Sequence, residues 1–180
     1  MLPAGRVPLI SATSIEYIFK EFGSTFRIIY FGEVGNIPGY TPDVDEERLN
    51  NKIHSRITNI QQILNRYPDV IQFNSLFQKY NASEGISYNR IQFSMHARAS
   101  RFISVAGGSA IVASYFGGVN VIMTAHSVPE NAIGGFYSRF AGTRIVAVST
   151  NDELMMKVKE EYDMYGGGNV DDNNLYRRYA

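Results

Sequence analysis

The stretch Arg101–Ser114, RFISVAGGSAIVAS, decides the fold. Phe102, Ile103 and Val105 make Arg101–Ala106 a short apolar run that suits a buried strand. Gly107 and Gly108 interrupt it, and Ser109 opens a short helical segment that ends at Gly117-Gly118. A second apolar run, Val119–Ala125, follows at once. Strand, glycine turn, helix and strand in this order form a crossover unit whose two strands lie parallel.

The same alternation extends in both directions. Towards the N-terminus, Val7, Leu9 and Ile10 mark a first strand, and Thr13 with Glu16 reads as a capping box opening a helix. Ile15, Ile18, Phe19 and Phe22 fall on one face of that helix, which Gly23 ends. Phe26–Phe31 reads as a second strand, and residues 32–45 as a Gly/Pro-rich loop. A long helix over about 49–66 carries Ile53, Ile57, Ile60 and Leu64 at helical spacing, and Pro68 closes it. Asp69–Phe73 is a third strand, Ser75–Tyr80 a single helical turn, and Ser87 opens a helix with Ile91, Met95 and Ala99 inward. Beyond the deciding stretch, Arg144–Val148 is a last strand. Thr150 and Glu153 form a second capping box, ahead of a helix with Leu154, Met155, Val158 and Tyr162 inward. The fold class expected is α/β: a doubly wound, mostly parallel sheet of about six strands with helices on both faces. Residues 1–165 read as one Rossmann-like domain and 166–180 as a Gly/Asp/Asn-rich tail.

Composition narrows the function. The 180 residues carry 17 Lys+Arg against 17 Asp+Glu, a formal net charge of zero, which argues against electrostatic binding to nucleic acid or an anionic membrane. The absence of Cys excludes disulfides, thiolate metal sites and cysteine nucleophiles. Met1–Arg6 shows no basic segment followed by an apolar one, and no apolar run approaches the ~20 residues that span a bilayer. A soluble cytoplasmic domain is the expectation.

In a doubly wound sheet the ligand sits at the carboxyl ends of the strands, so the loops there are ranked first. Ala106-Gly107-Gly108-Ser109 leads: two glycines allow close backbone approach, and N–H groups at the following helix start suit a diphosphate. No G-x-G-x-x-G follows the first strand, where Ser11-Ala12-Thr13-Ser14 stands, and no G-x-x-x-x-G-K-[ST] occurs, so the usual NAD or FAD site and the P-loop are not expected. His126 closes the fifth strand at the ligand edge and is a candidate for contacting substrate or phosphate. His96 reads as a packing residue and His54 as a solvated one. Tyr137 and Arg139 are candidates for holding a donor. Asp43, Asp45, Glu46 and Glu47 suit the positive end of the helix they precede. The histidines have no metal-ligand spacing, so no metal is expected.

Ser87-Tyr88-Asn89-Arg90-Ile91-Gln92, Phe102–Ser109, and Ala113-Ser114-Tyr115-Phe116-Gly117-Gly118 together resemble the C-terminal, donor-binding half of GT-B-type glycosyltransferases, in particular polysaccharide-associated ones. Phe136–Gly142 and Asn151–Leu154 continue the likeness, which covers roughly Ser87 to Tyr162. More distantly, the order of elements is similar to the donor segment of heptosyltransferases. The resemblance implies a nucleotide diphosphate sugar as donor substrate, a glycan acceptor, and no covalently bound cofactor. It puts Gly107, Gly108 and Ser109 at the diphosphate, Ser11 and Thr13 along the cleft, and Asn74 and His126 at neighbouring strand ends. A GT-B enzyme has two Rossmann-like domains and this chain has room for one. The resemblance therefore implies a half that needs a second half-domain or another copy of the chain, or alternatively a non-catalytic nucleotide-sugar-binding or scaffold module. A methyltransferase using S-adenosylmethionine ranks last, for want of a Gly-rich turn after the first strand.

Overall fold

The computed structural model describes residues 10–32, 59–124 and 142–166. They belong to two compact units, Ile10–Met95 and a second from His96 onward.

The first unit begins with α1 (Ala12–Phe22), which buries Ile15, Ile18, Phe19 and Phe22 as the periodicity requires. Its cap differs from the expected one. Ser11 stands at the N-cap with extended backbone, and its hydroxyl accepts the Ser14 N–H at 3.1 Å. Thr13 is an exposed residue of the first turn, and Glu16 pairs instead with Arg66 at 2.6 Å. Ser11, Thr13 and Ser14 all carry a hydroxyl, and the helix starts at the earliest that can cap it. Strand β1 (Ile29–Tyr30) is shorter than the apolar run around it, because Phe26 closes a turn on the Phe22 carbonyl and packs against the Phe22 ring. The described part of α2, residues 59–66, buries Ile60, Ile63 and Leu64. Strand β2 (Ile71–Gln72) pairs parallel to β1 with Ile29 opposite Ile71. It passes without a linker into α3 (Phe73–Glu84), a helix of 12 residues where a single turn was expected. Gly85, left-handed at φ 63°, ends α3 by donating its N–H to the Asn81 carbonyl. Then α4 (Tyr88–His96) buries Ile91 and stops before Ala99, which lies in the turn that follows. The core of this unit is aromatic: Phe19 meets Tyr30 and Tyr67 edge-on, and Phe73 stacks on Phe31 at 4.3 Å while Tyr88 meets its edge.

The second unit is built on three parallel strands in the order β3 (Arg101–Val105), β4 (Val119–Met123) and β5 (Arg144–Val148). The register sets Arg101 beside Val119 and Val119 beside Arg144. Alternation along each strand gives the sheet two faces. Helix α5 (Gly108–Ser114) covers one, packing on β3 and β4 with Ala110 against Ile122. Helix α6 (Asn151–Gly166) packs on β4 and β5, and its Glu161 reaches Arg144 on the other face. All five β4 residues are buried, as a central strand covered on both sides requires. Gly118, at φ 75°, brings the chain into β4 so close to the Ser100 carbonyl that a Cβ there would collide with it.

The α/β class with parallel strands is thus present. A single sheet of about six strands is not seen among the described residues, which hold five strands in two sheets, of two and three strands. Of the expected first strand only Ile10 is described, and it is not in a strand. Among the described residues no helix is long and apolar enough to cross a membrane.

Candidate functional site

At the carboxyl edge of the three-stranded sheet, each strand leaves by a different device. Strand β3 leaves through Ala106 and the two glycines. Ala106 is still in the ladder, its N–H donating to the Met123 carbonyl at 2.8 Å. Gly107 then turns to φ 150° and ψ −161°, a conformation essentially confined to glycine, and its carbonyl accepts the Ile111 N–H at 3.2 Å. Gly108 is the first residue of α5 and differs from Gly107 in two respects. Its backbone is not in the glycine region, and among the described residues a Cβ built on it meets nothing within 4 Å. Chain conformation accounts for Gly107, whereas among the described residues nothing requires a glycine at 108. Among the described residues no side chain caps the start of α5.

Strand β4 ends at Thr124, which is buried and doubly tied to β5: its N–H and its hydroxyl both donate to the Val148 carbonyl, at 2.7 and 3.2 Å. Strand β5 ends at Ser149 and Thr150. The Thr150 hydroxyl accepts the Glu153 N–H at 3.1 Å, as a capping box should. The Glu153 carboxylate returns one residue further than the standard box, to the Ser149 N–H at 2.8 Å and its hydroxyl at 3.2 Å.

Behind the glycine turn lies a buried polar network that the sequence reading missed. Asn120, the second residue of β4, is fully buried. Its Oδ1 accepts the Ser104 hydroxyl at 2.8 Å, and its Nδ2 donates to the Ala110 carbonyl at 3.3 Å and to Ser114 Oγ at 3.1 Å. Ser114 Oγ donates in turn to the Ala110 carbonyl, and the Thr143 hydroxyl donates to the Ser114 carbonyl, both at 2.7 Å. The signal was available: an Asn inside Val119-Asn120-Val121-Ile122-Met123 breaks an otherwise apolar strand.

The remaining candidates divide between the units. Ser11, Thr13 and Asn74 belong to the first, and Gly107, Gly108 and Ser109 to the second. Ser11 is engaged in capping α1. Asn74 does stand at a strand end, in the first turn of α3 after β2, where its amide donates to the Gly32 carbonyl just beyond β1 at 3.5 Å. His126 and Arg139 lie outside the described residues, as do Tyr137, His54, the acidic group at 43–47 and residues 167–180. His96 is buried and stacked on Phe102 at 5.6 Å, with Phe116 at 5.7 Å, which is the packing role expected of it. Among the described residues no group of three or more His, Asp or Glu is placed to hold a metal ion.

At the opposite edge of the sheet, Arg144 and Glu161 form a two-bond pair, both bonds 2.7 Å. Arg101 lies with its guanidinium 5.9 Å from the centre of the Tyr162 ring. Burial pushes the Tyr162 phenol far above its ordinary value, and the Arg101 charge opposes that only in part.

No family model matches the sequence, and neither a curated protein nor a solved structure matches it.

Proposed function

We propose that the chain binds a nucleotide diphosphate at the turn Ala106–Ser109, with the backbone of Gly107 and Gly108 against the phosphates. The observation that carries this is Gly108: a glycine whose conformation and described neighbours would admit a side chain, at the carboxyl edge of a parallel sheet. A bound group lying against the backbone is one reason for a side chain to be missing there. The sheet supports the same place. Helix α5 leaves β3 on one face and α6 leaves β5 on the other, as in a doubly wound sheet, where ligands bind outside the carboxyl ends of the strands.

The finer reading rests on the sequence resemblance: the nucleotide is the leaving part of a nucleotide diphosphate sugar, and the domain corresponds to the Rossmann-like donor half of a GT-B glycosyltransferase that passes the sugar to a glycan. Backbone amides at the turn would stabilise charge building on the departing diphosphate. Ser109 is the side chain proposed to assist, together with His126 and Arg139 from the sequence reading. The acceptor domain is a second half-domain or a second copy of the chain.

A thermal-shift panel of UDP, GDP, CMP, dTDP and their sugars, with NAD and S-adenosylmethionine as controls, tests the reading. A ligand that binds only the native state raises the melting temperature by mass action, ~2.7 kcal/mol at a hundredfold excess over Kd. We expect a shift with one nucleotide diphosphate and its loss in Gly108→Asp, which sets a negative side chain in the phosphate position. A shift confined to the controls, or one that survives Gly108→Asp, would overturn the assignment. Turnover of the sugar by this chain alone would separate an active half from a binding module.

A further inference from the structure

We infer that Asn120 is the positioning residue of the glycine turn: its carboxamide, and not apolar packing, sets where α5 and therefore Gly107–Ser109 lie on the sheet. The inference holds whatever the turn binds. Four observations carry it. First, Asn is a poor strand residue and costly in a dry core, yet it is the second residue of a strand buried on both faces. Second, each polar atom of the amide is used: Oδ1 on Ser104 of β3, Nδ2 on both Ala110 and Ser114 of α5. One side chain thus joins the strand that enters the turn to the helix that leaves it. Third, among the described residues the apolar contact beneath α5 is Ala110 on Ile122, with Ala106, Ile145 and Ala147 around them; apolar packing is non-directional, whereas the amide bonds fix a position. Fourth, the C-terminal end of α5 is held by the Thr143 hydroxyl on the Ser114 carbonyl, so directional bonds hold the helix from its first turn to its end.

A network of this kind gives a unique pose at some cost in stability, because replacing all its members by apolar groups of similar shape can leave stability nearly unchanged. That property separates positioning from mere support. The readout is amide hydrogen exchange at Ile111, whose N–H is bonded to the Gly107 carbonyl, against Val158 in α6 on the other face. In the full chain, Asn120→Leu alone leaves the Ser104 hydroxyl without its acceptor, takes one of the two donors from the Ala110 carbonyl and the donor from Ser114 Oγ, and lowers the melting temperature. The triple variant Ser104→Ala/Asn120→Leu/Ser114→Ala recovers most of that loss. We expect Ile111 exchange in the triple variant to stay at least about tenfold faster than in the wild type while Val158 is unchanged. Ser114→Ala, a small change within α5, frees one Asn120 donor and is expected to raise Ile111 exchange by a smaller factor, again without moving Val158. Wild-type protection of Ile111 in these variants, or acceleration shared equally by Val158, would overturn the inference.

Discussion

Gly107 and Gly108 read alike in the sequence and differ in the fold. A pair of glycines between a strand and a helix signals a turn, but only φ at each position tells which one the backbone needs. Gly107→Ala forces a Cβ into a conformation costing ~1–3 kcal/mol, and a urea melt should show that loss. Gly108→Ala should leave stability unchanged or raise it by up to ~1 kcal/mol, since alanine suits a helical position better. The reverse order of effects would mean that Gly108 is structural and would remove the support for a ligand there. Asn120 and Ser11 were equally legible as residues but not in their roles. The Asn partners are 6, 10 and 16 positions away in the chain, and three neighbouring hydroxyls compete for one cap. Tyr162 gives a pH prediction. Its phenol ordinarily loses its proton near 10.0, and burial holds the proton in the folded state well above that, against the opposing Arg101 charge. The unfolded chain therefore releases the proton first, so this contribution to stability is complete below pH 10 and is lost as pH rises beyond it. Melting temperatures between pH 8 and 11 should fall more gently in Tyr162→Phe than in the wild type. Tyr88, also raised by burial, should leave part of the slope.

At the scale of elements, apolar runs located the three strands of the second unit well, and Arg144–Val148 was bounded correctly from the sequence. The runs overstated β1 and β2, because an apolar residue next to a strand end can turn away, as Phe26 does, or start a helix, as Phe73 does. Helix α3 was legible only as one turn, since Phe73 is the one residue of its twelve that it fully buries and its apolar stripe is faint. Gly85, placed where a left-handed cap ends it, was the better signal. The start of α6 was read correctly, and it carries a prediction: Thr150→Ala should cost ~1 kcal/mol by removing the hydroxyl that accepts the Glu153 N–H. No loss on denaturant unfolding would show that Glu153 on Ser149 caps the helix without it. The two-bond pair at the far end of α6 is unequal. The Glu161 side chain is 2 % exposed and that of Arg144 is 57 %, so the Coulomb gain is partly screened, but the carboxylate is dry. Arg144→Leu, which strands a buried carboxylate, should therefore destabilise more than Glu161→Gln, which leaves the arginine hydrated. Equal losses would contradict that asymmetry.

At the scale of the whole molecule, strand–helix alternation established the class, parallel α/β, but the single sheet of about six strands expected from it is not what the described residues form, which is one sheet of two strands and one of three. Alternation records that the chain crosses over, whereas sheet membership depends on pairings between segments far apart, such as Ile29 with Ile71. The candidate site was legible to the same degree. The rule that ligands lie at carboxyl strand ends selected the turn after β3, and the structure puts Asn74 at such an end too, but in the other unit. What the rule cannot supply is chemical identity, and the central claim is that the turn after β3 receives a nucleotide diphosphate. It is tested most directly by titrating the 15N-labelled chain with UDP, GDP, dTDP and CMP and following backbone amides. The prediction is that one nucleoside diphosphate shifts the amides of Gly107, Gly108 and Ser109 in a saturable way, whereas CMP, with a single phosphate, shifts them far less. Saturable shifts elsewhere in the chain with those three amides unmoved, or no shift with any nucleotide at millimolar concentration, would contradict it.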